Sequence, residues 1–298
     1  MKKFPEIIEL ELTSKCNKKC RVCQRQFIVS EYNDDLNVNT LKIILLQIEK
    51  RKCQINLGGL GESLLVSNLC EILGLIKSHN PNILTGINTN GVLLTEDKYS
   101  WLTDGRLDFF TISINAPDYD GYHFITDDVD YDIVCTNAMN FLKVKGKNNK
   151  PHTTVHCFNI PHFWGKIEDF KNKWERFADF VQIRDLTNWA GTVPVEKFGV
   201  EARLNGICER PFVSIAIDTN GTYHNCCGSF YLDKSTHNIN DISIEDFWNS
   251  DTLQHFRKIM RNGTISPDHT CFNCSAKSIS PNTLIERNTM SNSSKVVQ

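Results

Sequence analysis

Polar and apolar positions along this chain switch repeatedly between a period of two and a period near 3.6. Residues 7–13 alternate, with Glu9, Glu11 and Thr13 on one side and Leu10 and Leu12 on the other, and residues 38–51 then carry their aliphatics at helical spacing. The exchange continues with extended runs at 53–57, 83–88, 107–115, 152–158 and 180–186, separated by helical spacing at 69–77, 131–144 and 167–177. Six strands joined through helices predict parallel pairing by right-handed crossovers, hence an α/β fold whose chemistry sits on loops after the carboxyl ends of strands.

The strands carry a second regularity. Polar residues fall at every other position: Gln54 and Asn56; Thr111, Ser113 and Asn115; Thr154 and His156; Gln182 and Arg184. The opposite faces hold Ile55, Leu57, Ile112, Ile114 and Ile183, which can pack under the helices. A closed barrel fills its lumen with branched aliphatics, so a polar inner face predicts a partial (β/α)6 TIM-like barrel with a solvated, ligand-holding cavity. An antiparallel sheet with one wet face would give the same alternation but not the intervening helices.

From about residue 187 the pattern changes. Residues 212–217 and 222–226 flank Asp218-Thr219-Asn220-Gly221 and predict a hairpin turning at Asn-Gly. Ser243 is placed to cap a single amphipathic helix running to about Met260. The Ser- and Asn-rich end predicts a loose tail. The domains expected are a barrel over 1–190, a small α+β domain over 191–278, and a tail over 279–298.

Composition narrows the class. The chain has 298 residues, 40% of them apolar, and a formal charge of −2, which gives no general attraction for nucleic acid. No apolar run reaches membrane-span length and no signal-type block follows the start, so the location expected is cytoplasmic, with no membrane partner. Twelve cysteines in such a compartment point to metal binding or catalysis rather than disulfides. Cys53, Cys70 and Cys135 are scattered and fit small buried apolar positions.

The organised cysteines begin with Cys16, Cys20 and Cys23, a C-x3-C-x2-C run just past the first strand. Three thiolates on one short loop can hold three irons of a cubane and leave the fourth open, whereas a structural zinc site closes with four ligands. Gly59-Leu60-Gly61-Glu62-Ser63-Leu64 follows the second strand; its glycines let backbone approach a ligand, and Glu62 can face an ammonium. Thr89-Asn90-Gly91 ends the third strand, and Ser113 and Asn115 lie on the fourth.

These segments, in this order, resemble the radical S-adenosylmethionine (radical SAM) superfamily over almost the whole chain. The resemblance implies a [4Fe–4S] cluster on Cys16, Cys20 and Cys23 whose open iron chelates SAM, and cofactor contacts from Gly59, Gly61, Glu62, Asn90, Ser113 and Asn115. Two departures stand out: Ser63 replaces the family's usual proline, and Val22 replaces a frequent aromatic. Cys208, Cys226, Cys271 and Cys274 resemble the family's twitch/SPASM extensions and imply one fully ligated auxiliary [4Fe–4S] cluster, with a four-cysteine zinc knuckle as the structural alternative. The branch most similar in plan is the aminocyclitol dehydrogenases. The resemblance further implies an electron donor such as flavodoxin or ferredoxin.

The chain reaches the cluster loop at Cys16, so no amino-terminal leader-binding domain is expected and the expected substrate tilts toward a sugar or aminocyclitol, with a peptide as the alternative. Expected substrate contacts are Arg184, Gln182, His156, Asn188 and Trp189. If a thiol returns hydrogen to the substrate, making the enzyme an epimerase or peptide maturase rather than a dehydrogenase, Cys227 is the expected donor. Strand alternation turns Cys157 away from the lumen if His156 faces it.

Overall fold

A computed structural model describes residues 3–28, 34–204, 206–232 and 236–278; the expected tail lies outside them. Eight strands, β1 (Ile7–Glu11), β2 (Gln54–Gly58), β3 (Leu84–Thr89), β4 (Phe109–Asn115), β5 (His152–Asn159), β6 (Phe180–Asp185), β7 (Ser214–Ile217) and β8 (Tyr223–His224), form one sheet. Its order is β6-β5-β4-β3-β2-β1-β7-β8. β1 through β6 pair in parallel, each with its predecessor, as right-handed βαβ crossovers dictate. The α/β class and the partial barrel are as the alternation predicts.

The helices between and beyond the strands are α1 (Val38–Ile48), α2 (Leu69–His79), α3 (Tyr99–Leu102), α4 (Tyr119–Thr126), α5 (Tyr131–Lys145), α6 (Ile167–Trp174), α7 (Arg210–Val213), α8 (Ile244–Asn249) and α9 (Asp251–Asn262). Their apolar stripes, such as Leu41, Ile44, Leu45 and Ile48 of α1 and Val134, Ala138, Phe141 and Leu142 of α5, are buried. They meet the outer face of the sheet, where Leu10, Leu12, Ile55, Leu57, Ile112 and Ile114 are also buried. Removing a side chain such as Ile44 to Ala would cost about 2–5 kcal/mol.

Three features of the carboxy-terminal part differ from the expectation. β7 begins at Ser214, because Pro211 opens the short helix α7 and takes Phe212 and Val213 with it. β7 also pairs in parallel with β1 while turning back antiparallel into β8, so the hairpin extends the barrel sheet. The single helix expected after Ser243 is two: Ser250 ends α8 in extended backbone, and its side chain accepts from Leu253 N to start α9.

Candidate active site

The loop after β1 is held at many points. Arg25 Nε donates to Ser14 O at 2.9 Å, Arg21 N donates to Ile125 O at 2.8 Å, and Thr13 Oγ1 donates to Asp35 at 2.6 Å. Lys18 is buried, with its ammonium 2.9 Å from Asp128, 2.6 Å from Asp130 and over the Tyr122 ring. One cation so paired ties the loop to α4 and the turn after it. On this frame sit Cys16, Cys20 and Cys23. Burial raises all three thiols, and each is raised further by charge on a neighbouring cysteine or carboxylate, with Cys20 pushed up to about 12. Crowded thiols that resist ionisation on their own suit a cationic cluster, which stabilises all three thiolates together.

The glycine segment seats against this loop. A Cβ at Gly61 would lie 2.1 Å from Thr13 O and 2.6 Å from Lys15 O, and Gly59 has φ +113°, where a Cβ would lie 2.3 Å from Glu11 Cγ. Only glycine permits that approach. Glu62 N donates to Lys15 O at 2.8 Å. The Glu62 carboxylate is buried and accepts from Leu64 N at 3.0 Å, Thr89 Oγ1 at 2.7 Å and Asn90 N at 2.7 Å. It therefore braces the ends of β2 and β3 against each other. Asn90 Nδ2 donates to Asn17 Oδ1 at 2.8 Å and lies 4.0 Å from Cys16 Sγ. Glu62 and Asn90 are thus brought to the cluster loop.

Across the lumen, a register shift between Ser113 and Asn115 turns the end of β4, and Asn115 has φ +70°. Its Oδ1 lies 2.7 Å from His156 Nδ1. His156 is buried, pairs across the sheet with Gln182, and is pushed well below the usual imidazole range first by burial and then by the charge of Arg184. Arg184 Nε donates to Gln182 Oε1 at 2.8 Å. Cys157 lies in the apolar core on the other face, as alternation requires.

The second cysteine group surrounds a cavity lined by Cys208, Cys226, Cys271 and Cys274 together with Trp189, Arg210 and Gly228. All four cysteines line one space, which fits a fully ligated cluster. Among the described residues, no three His, Cys, Asp or Glu side chains close on a point fit for a single ion. Asn188 is corrected as a substrate contact: its Nδ2 donates to Asn273 O at 2.7 Å, its Oδ1 accepts from Ser275 N at 2.8 Å, and its own N donates to Ser275 Oγ at 2.9 Å. Asn188, beyond the end of β6, thereby clamps the Cys271–Cys274 turn to the barrel. Trp189 lines the cluster cavity against Gly228.

Arg210 was not singled out from the sequence, since a lone arginine two residues past Cys208 carries no pattern. Its Nη1 donates to Cys227 Sγ at 3.5 Å, and its charge is held by Cys227, Cys226, Glu9 and Cys208, which raise it above the usual guanidinium range. Burial pushes Cys227 up to about 12. Glu9, which accepts from Asn56 Nδ2 at 3.1 Å, is raised by burial against the lowering effect of Arg210.

The sequence pattern of the radical SAM superfamily matches residues 10–173, and that of the SPASM iron–sulfur cluster-binding domain matches residues 208–275. The chain belongs to the radical SAM superfamily. Its cofactors are SAM and two [4Fe–4S] clusters. The chain is 21% identical to the S-adenosyl-L-methionine-dependent 2-deoxy-scyllo-inosamine dehydrogenase of Niallia circulans over 94% of this chain and 96% of that protein. Among solved structures it is similar to BtrN in complex with AdoMet and 2-DOIA, with TM-score 0.62, 22% identity and coverage of 92% and 94% of the two chains. It is also similar to SuiB of Streptococcus suis bound to the precursor peptide SuiA, with TM-score 0.70, 15% identity and coverage of 93% and 71%. No described helix is long and apolar enough to cross a membrane.

Proposed function

We propose that this radical SAM enzyme oxidises a hydroxyl-bearing small molecule of the sugar or aminocyclitol class. The observation that carries the reading is the second cavity: four cysteines line it, so no ligand position is left for substrate and the site is suited to electron transfer. Likeness along nearly the full length to a dehydrogenase supports the same direction. When bound, SAM and the first cluster supply a 5′-deoxyadenosyl radical, and the auxiliary cluster supplies a one-electron acceptor.

The residues of the chain do the rest. The Gly59–Gly61 turn and Glu62 fix the backbone that faces the cofactor, and Asn90 holds that edge to the Cys16 loop. Ser113, His156 and Gln182 stand side by side in register on β4, β5 and β6, with Arg184 two residues further along β6, and this polar stretch is where substrate contacts belong. Arg210 places positive charge beside the auxiliary cysteines, which favours their cluster receiving an electron. The electron donor to the first cluster is a small flavin or iron–sulfur protein, and nucleic acid and membrane have no role.

A second reading has its own observation: Cys227, held at 3.5 Å by Arg210, is a thiol able to return hydrogen to a substrate radical in an epimerase or peptide maturase. Likeness to a peptide-bound structure favours keeping it. Substrate deuterated at the reacting carbon separates the two. Oxidation predicts label in 5′-deoxyadenosine, a ketone product and unchanged stoichiometry in Cys227→Ala. Solvent hydrogen at an intact carbon, abolished in that variant, would establish the second reading instead.

A further inference from the structure

We propose that His156 is the acceptor that selects a hydroxyl group of the substrate, with Asn115 as the positioning residue that fixes the imidazole proton on Nδ1 and leaves the Nε2 lone pair for the ligand. The inference rests on the lumen being the substrate chamber, as proposed above.

Three observations converge on this pair. Asn115 Oδ1 is the amide atom placed 2.7 Å from His156 Nδ1, and since an amide oxygen only accepts, this arrangement assigns the proton to Nδ1. Nε2 is then an acceptor, and it is buried with no partner in the protein, on a ring only 3% exposed. A buried acceptor left unmade is costly, and a ligand donor relieves that cost. Asn115 reaches the ring only because β4 shifts register there and the residue takes φ +70°, a left-handed conformation that Asn tolerates better than most residues.

The surroundings define the donor. From β6 the charge facing His156 is Arg184, with Gln182 beside it; from β4 the facing groups are the neutral Ser113 and Asn115; along β5, Phe158 stands edge-on with ring centroids 4.8 Å apart. Burial and Arg184 both disfavour a charged ring. The same guanidinium disfavours an ammonium as the donor. A hydroxyl group supplies the proton without adding positive charge, so His156 reads the alcohol face of the substrate.

The test is calorimetric titration of the anaerobically reconstituted holoprotein, saturated with SAM, with scyllo-inositol as an all-hydroxyl probe. Wild type is expected to bind with little dependence on pH between about 6 and 8. His156→Gln, which keeps an acceptor, should hold affinity within about threefold, while His156→Leu should lose at least roughly tenfold. Asn115→Asp gives the ring a carboxylate partner and raises its pKa. Affinity in that variant should be retained near pH 8 and fall as pH drops toward 6, because a protonated Nε2 donates and no longer accepts. No binding by wild type, equal binding by His156→Leu, or a flat pH profile in Asn115→Asp would each overturn the proposal. These titrations need no turnover. An enzyme that oxidises its substrate with these variants indifferent sinks this inference alone, whereas binding as expected without deuterium transfer sinks the oxidation reading.

Discussion

Gln24 Nε2 donates to the carbonyl oxygen of Gly228 at 2.9 Å, a buried hydrogen bond between residues 204 positions apart. Gln24 directly follows Cys23, and Gly228 stands two residues past Cys226, so one side chain joins the two cluster-bearing loops. Its Oε1 is buried without a partner. Replacing it with Leu removes the bond and leaves the Gly228 carbonyl unmet, a loss of about 1 kcal/mol. The expected result is a melting temperature lowered by about 2–4 °C, read by scanning calorimetry on the holoprotein, with the auxiliary cluster's electron paramagnetic resonance (EPR) signal broadened. Unchanged melting and linewidth would show that the loops hold their places independently.

Arg210 sets the electrostatics of the second cysteine group. A cation favours the more negative, reduced state of a cluster, so Arg210→Met should lower the auxiliary potential by on the order of 50–100 mV. EPR-monitored redox titration measures it. An upward or absent shift would mean that the guanidinium does not bear on the cluster.

The two cysteine groups should come apart by mutation. Cys16→Ala is expected to abolish SAM cleavage, while Cys271→Ala should still cleave SAM with iron content reduced from about eight to about four per chain. Zinc in place of half the iron in wild type would contradict the assignment of the second site.

Glu11 gives a pH signature. Burial raises its carboxyl to about 7, against the lowering effects of the Tyr231 hydroxyl and of Leu60 N, which donates to it at 3.0 Å. A raised folded-state value means that the fold favours the protonated form. This contribution is full below the unfolded value near 4.5 and is lost as pH rises through about 7. Glu11→Gln, neutral throughout, should therefore gain little at pH 5 relative to wild type and up to about 3 kcal/mol at pH 8. Thermal melts at the two pH values decide it; a larger gain at pH 5 would reverse the sign.

What could be read in advance follows the physics of each signal. Period-two polarity placed His156 inward and Cys157 outward, because strand alternation depends only on local geometry. Cysteine spacing marked Cys16, Cys20 and Cys23 because those residues crowd onto one short loop, whereas Cys208, Cys226, Cys271 and Cys274 come from three separate segments and were reached through the family resemblance. Arg210, Gln24 and Asn188 were illegible as to role because each acts through partners far along the chain. Asn188 illustrates the error directly: a polar residue just past a lumen strand suits a ligand, but its amide is taken by the backbone of Asn273 and Ser275. The split at Ser250 was masked because a serine inside an amphipathic repeat matches both a helix interior and a cap.

The central claim, oxidation of substrate through the second cluster, is tested most directly by a freeze-quenched single turnover. Holoprotein given one electron per chain, SAM and a cyclitol substrate is followed by EPR and product analysis. The account predicts one reduced auxiliary cluster for each 5′-deoxyadenosine formed, appearing together with the ketone. An auxiliary cluster that stays oxidised while 5′-deoxyadenosine forms and solvent hydrogen enters the substrate carbon would contradict it.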